Sequence, residues 1–163
     1  MDVSEVIRTK RAVRQFSDQP VPEEAIRDIL NAGRRAQSSK NSQPWQFVVI
    51  RDKATLKDLS TCGAYAGHLA GANFAVAFAS TEPADFDLGQ AAAYMQLAAW
   101  EQGIGSCIAS IYEPDKARAI LGIPDALHGD VALSFGYPLP GQEHTPRPGG
   151  RKPFEEVVHW EHW

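Results

Sequence analysis

The strongest constraint on the fold is a rhythm of four short apolar runs, 47–50, 74–79, 106–111 and 131–137, set between stretches of helical periodicity. Runs this short, bounded by polar or turn residues, read as strands buried in a sheet. Between them the spacing changes. Asp2 and Glu5 fit a capping box and Val3, Val6 and Ile7 share a face, which predicts a short helix over 2–10. Pro22 suits a first helical position, Ile26, Ile29 and Leu30 form a stripe, and Gly33 sits near the end of that helix. A short helix is expected over 55–59. The longest helix, 87–102, is rich in alanine, with Leu88, Ala92, Met95 and Ala99 on one face and Gly103 as terminator. Glu113-Pro114-Asp115 opens another helix, which closes at Leu121-Gly122. Helices interspersed with strands favour an α+β layer around one sheet.

The length of 163 residues suits one domain, and 44% hydrophobic with 22% charged residues is enough apolar material for a core. A formal net charge of -4 gives no drive toward nucleic acid or an anionic membrane. No apolar stretch is long enough to span a bilayer, and Met1–Glu5 lacks a signal-peptide layout. Cys62 and Cys107 form no CxxC pair, so the expected setting is cytoplasmic, without disulfides. The C-terminal arm, 138–163, is unusual. Its first part is rich in Pro and Gly, 156–160 reads as a last strand, and the end at Trp163 is apolar for a free tail. Packing on its own domain and packing on a second subunit are equally compatible with that pattern.

Two segments carry chemistry. Lys10-Arg11-Ala12-Val13-Arg14 puts three cations in five residues. Such cations neutralise phosphate, Arg as a bidentate fork and Lys as a point charge. They also complement the C-terminal dipole of a helix without any ligand. Ser38-Ser39-Lys40-Asn41-Ser42-Gln43-Pro44-Trp45 offers hydroxyls and amides suited to sugar alcohols and heterocycle edges, or is simply a polar loop entering a strand. Elsewhere the plain readings prevail. His159 and His162 sit among tryptophans and point to packing rather than metal. His68 and Tyr65 read as a solvated loop, and Cys107 reads as a small core residue. Gly103-Ile104-Gly105 lacks the third glycine of a dinucleotide fingerprint.

Taken in order, these motifs resemble the FMN-dependent nitroreductase family. The order is Arg14-Gln15-Phe16, a helix, Ser-Ser-x-Asn-x-Gln-Pro-Trp, an apolar strand, then Gly103-Ile104-Gly105-Ser106-Cys107, Gly136-Tyr137-Pro138 and the segment 151–158. The resemblance implies that Lys10, Arg11 and the Ala12 backbone meet the FMN phosphate and ribityl chain. It places Arg14 at the pyrimidine end of the ring, where a cation stabilises the reduced flavin. It further implies Ser38, Ser39, Asn41 and Gln43 lining the cofactor from a partner subunit, Ser110 and Ile111 offering backbone amides near N5, and Arg151 returning to the phosphate. The chain departs from the family pattern at Lys10 (commonly Arg), Ala12 (Ser), Gln37 (Pro) and Tyr94 (Asn), and 59–86 is short.

The expectation is a nitroreductase-like α+β fold over 1–163. Its central sheet would be mixed but mainly antiparallel and flanked by helices, and the arm 138–163 would add a strand to a partner's sheet. The resemblance implies a homodimer with FMN at the subunit interface, NAD(P)H as electron donor, and a nitroaromatic, quinone or related conjugated acceptor. It calls for no catalytic side chain and no metal. The alternatives are a non-catalytic flavin carrier or sensor, and a nucleotide-binding regulator without flavin.

Overall fold

The computed structural model describes residues 1–142 and 149–163. Its centre is a sheet of β1 (Trp45–Ile50), β2 (Phe74–Ser80), β3 (Gly105–Ser110) and β4 (His128–Gly136) in the order β1-β2-β4-β3. The three strand pairings are antiparallel. Parallel character enters through a bridge between Ala12 and Ser106 on the outer edge of β3. The four-stranded sheet is thus antiparallel, with one isolated parallel bridge at its edge.

Period-two alternation sorts the sheet into a bulky face and a small one. Phe74, Val76 and Phe78 of β2 and Leu133 and Phe135 of β4 pack with α2 (Glu23–Arg34) and α4 (Asp85–Glu101). Phe74 stacks on Phe135 with centroids 4.8 Å apart. The opposite face, built from Ala75, Ala77, Ala109 and Ala132, packs under α3 (Lys53–Leu59) and α5 (Pro114–Leu121) through Leu56, Leu59 and Ala117. Small side chains here let short helices and turns lie close to the sheet. Gly33 serves the same purpose between α2 and α4: a Cβ there would lie 2.2 Å from Met95 Cε. α4 is apolar almost all round, and leaves Phe86, Gly89, Ala93 and Tyr94 exposed on its outer side.

Most expected elements form, with longer strands at the β1 and β4 starts. β1 begins at Trp45 because Trp45 and Gln46 already pair with Ser80 and Ala79. The expected strand over 156–160 does not form. Residues Phe154–Val157 make one helical turn, α6, after the helix α1 (Val3–Thr9) at the other end of the chain. Pro153 precedes that turn, Glu155 and Glu156 occupy its start, and Lys152 pairs with Glu156 at 2.6 Å. Acidic residues in a first turn favour helix, and four residues carry too little period to distinguish the two states. Of the connection 138–153, residues 143–148 lie outside the described residues.

Candidate functional site

α1 is capped by Asp2, which accepts from the Glu5 N–H at 2.8 Å, and ends as the chain turns at Lys10. Residues 12–13 then meet the start of β3 at its outer edge, and residues 15–17 pair with 137–139 just beyond the end of β4. The Val13 N–H donates to Ser106 O at 3.0 Å, Ser17 N–H to Tyr137 O at 2.8 Å, and Leu139 N–H to Gln15 O at 3.1 Å. Val13 is buried against Gly105, where a Cβ would come within 2.6 Å of the Val13 Cβ. The basic segment is therefore held on both sides. Arg11 Nη1 donates to the carbonyls of Arg8 and Lys10, each at 2.9 Å, closing the end of α1. Arg11 also lines a cavity of about 430 Å³ with Ile7, Arg8, Gly150 and Arg151. Gly149 and Gly150 have φ of +81° and +65°, which lets the backbone turn so that Arg151 arrives there. Three arginines from opposite ends of the chain thus line one cavity. No carboxylate among the described residues pairs with them. A cavity lined this way selects for an anion.

Lys10 and Arg14 are not among the residues lining this cavity, and their charges act on Cys107. Burial pushes the Cys107 thiol pKa up, and the charges of Arg14 and Lys10 draw it partly back. Beside it, His68 is not the solvated loop residue expected from sequence. Its Nδ1 lies 2.8 Å from Ser134 Oγ, and the ring is half-buried. Burial holds the imidazole pKa below its ordinary value, and Arg14 adds to that effect. Tyr65 is exposed.

The far end of β3 is read from its ladder. The Ile111 N–H donates to Asp130 O at 2.7 Å, inside the sheet. Ser110 is paired with Val131. Alternation in an antiparallel ladder therefore turns the Ser110 N–H outward, to the free edge. Of the two amides expected at the cofactor, Ser110 is the one so placed, while that of Ile111 is already engaged.

Ser38, Ser39, Asn41 and Gln43 are elsewhere. Their loop precedes β1, and its Ser39 N–H donates to Asp87 of α4 at 3.2 Å. Lys40, Asn41 and Gln43 adopt φ of 53°, 56° and 49°, a region non-glycine residues rarely occupy. Ser38 Oγ accepts from the Gln43 N–H at 2.9 Å and holds the turn. Strain of this kind persists where the surroundings over-determine it, and it gathers at functional sites. In the order β1-β2-β4-β3 this loop and the basic segment occupy opposite sheet edges, three strand spacings or roughly 14 Å apart. One chain therefore presents the candidate residues as two separate half-sites. Sequence reasoning passed over Arg8. Its signal was available, since Arg8 and Arg11 are three apart on one helical face.

The fold is α+β, with an arginine-lined cavity beside the end of α1 suited to an anionic small molecule. The model of the family described as Nitroreductase matches residues 7–64 and 69–137, and the chain belongs to that family. A relative from Archaeoglobus fulgidus, provisionally named an NADH dehydrogenase/NAD(P)H nitroreductase, is 34% identical over 82% of this chain and 83% of its own length. An FMN-dependent nitroreductase from Clostridium difficile superposes with a TM-score of 0.85 at 28% identity, over 97% of this chain and 98% of its own. A Desulfovibrio desulfuricans protein, assigned to the nitroreductases with similar reserve and solved with FMN, gives 0.84 at 27% identity over 100% and 98%. The fold is that of the nitroreductases. Among the described residues no helix is long and apolar enough to cross a membrane.

Proposed function

We propose that the chain is an FMN-dependent NAD(P)H oxidoreductase of the nitroreductase type, acting as a cytoplasmic homodimer with its cofactor cleft between subunits. The observation that carries this reading is the cavity where Arg8, Arg11 and Arg151 meet without a carboxylate partner. In this reading the three guanidiniums hold the phosphate. Lys10 and the Ala12 backbone meet the adjoining chain, Arg14 faces the ring, and the outward Ser110 N–H is offered to the ring edge. The two half-sites close only across two copies, so Ser38, Ser39, Asn41 and Gln43 of the partner subunit complete the cleft. The exposed apolar side of α4 supports such pairing: Phe86 is 81% and Tyr94 39% exposed, with Ile108 of β3 at 50%. A helix apolar on every side is ordinarily buried on every side.

The bound FMN would supply the redox chemistry, taking electrons from NAD(P)H and passing them to a nitroaromatic, quinone or related conjugated acceptor. The side chains bind and orient; none is required as acid or base for that exchange. Cations near the ring favour its reduced, negatively charged form. Anaerobic addition of NADH or NADPH to the FMN-loaded protein tests the reading. Bleaching of the flavin absorbance within seconds is expected. A yellow protein unchanged over minutes indicates a carrier or sensor, and one that stays colourless after FMN is supplied removes the flavin altogether.

A further inference from the structure

The outward amide of Ser110 has neighbours that the function above does not use. The Ser110 carbonyl points to the free edge together with its N–H. Gly63 lies directly against it: a Cβ at Gly63 would come within 2.2 Å of Ser110 O. A residue without a side chain lets two backbones approach this closely. One residue earlier, the Cys62 carbonyl accepts the Tyr112 and Glu113 N–H groups at 2.8 and 3.0 Å. The segment at 62–63 is therefore tied, at successive residues, to the chain as it leaves β3.

From there the chain turns at once. The Ala66 N–H donates to Gly63 O at 3.0 Å, so Ala64 and Tyr65 form the tip of a tight turn. Ala66 and Leu69 are buried under the small face of the sheet. His68 Nδ1 lies 2.8 Å from Ser134 Oγ, and Ser134 pairs with Cys107 of β3. The turn thus stands beside the second half of β3, with both feet fixed and its tip free. Two tyrosines mark this corner. Tyr65, at the tip, is 79% exposed, and Tyr112, two residues past Ser110, is 61% exposed. Neither phenol makes a hydrogen bond and neither ring a ring contact among the described residues. Rings of this size serve no packing purpose where they stand, whereas tyrosine at a binding surface offers wide, flat contact at little cost in side-chain freedom.

We propose that Tyr65 and Tyr112 are specificity-determining residues of the cleft: their rings rim its entrance beside the Ser110 N–H and select flat, π-conjugated acceptors over saturated ones of the same size. The selection lies in the ring faces, through offset or edge-to-face contact with the acceptor, and the hydroxyls are dispensable. The close Gly63 contact and the paired bonds to Cys62 O hold the two positions in register with Ser110. This rests on the reading of Ser110 as the amide at the flavin ring edge.

Equilibrium titration of the oxidised, FMN-loaded protein with nitrobenzene and with nitrocyclohexane tests this, read from the change in flavin absorbance with no electron donor present. The two ligands share a nitro group and a ring of the same size, and differ in having or lacking a π face. The wild type should prefer nitrobenzene. Tyr65→Ala and Tyr112→Ala should each lower that preference about two- to tenfold, while Tyr65→Phe and Tyr112→Phe should keep it. Stacking on the flavin itself is common to all of these proteins, so the difference between variants isolates the tyrosines. Equal affinities for the two ligands in the wild type, an undiminished preference in either alanine variant, or a loss that phenylalanine fails to rescue overturns the proposal alone. A protein that takes up no FMN overturns both it and the functional reading.

Discussion

Arg11 shows how one side chain satisfies two readings at once. Its guanidinium closes the end of α1 on the Arg8 and Lys10 carbonyls, as a cation at a helix C-terminus should, and it also lines the anion cavity. Composition could not separate the two, because five donors on one group serve both. Arg14 is the cleaner probe, being exposed and outside the helix end. Arg14→Ala should weaken FMN binding by about 10- to 150-fold, the equivalent of about 1.5–3 kcal/mol for a bond to a charged group. Fluorescence titration reads this directly, and an unchanged dissociation constant removes Arg14 from the site. At this scale the sequence made the cations and the hydroxyl loop visible. It did not make His68 visible, because its partner Ser134 is 66 residues away and no local pattern joins them.

Among elements, β3 matters most, since its first residues anchor the basic segment at Ala12 and Val13. Gly105 makes this possible by leaving room for Val13. Val13 is β-branched and fully packed, so it has little freedom to give way. Gly105→Ala should cost about 1–3 kcal/mol in urea unfolding through overpacking, and should reduce FMN retention as residues 10–14 lift from the strand. Wild-type stability together with wild-type retention would contradict the link between the two. The helices and inner strands were legible because their periods are long or their apolar runs sharply bounded. The C-terminal turn α6 was not, because Pro153 and the Lys152–Glu156 pair decide it over a span too short to show a period. The ladder alternation that separates Ser110 from Ile111 was equally hidden, since pairing phase depends on the partner strand β4.

For the molecule as a whole, the topology splits the candidate site between two sheet edges, and the proposed function reunites it with a second copy. The arm carries exposed aromatics, with Trp160 at 74% and Trp163 fully exposed, which suits them to the dimer contact of the proposed function. Deleting 154–163 should convert a dimer to a species of half the mass in analytical ultracentrifugation; a truncated chain that still sediments as a full dimer counts against the arm as a dimer contact. The central claim is narrower: arginines from both ends of the chain grip a phosphate. Arg151 makes no hydrogen bond or ion pair among the described residues, so its loss leaves the fold intact. Calorimetric binding of FMN and of riboflavin, which lacks the phosphate, to wild type and Arg151→Ala tests the claim most directly. FMN should bind the wild type at least about tenfold more tightly than riboflavin, and most of that advantage should vanish in the variant while riboflavin affinity stays the same. Equal affinities for FMN and riboflavin in the wild type would contradict it.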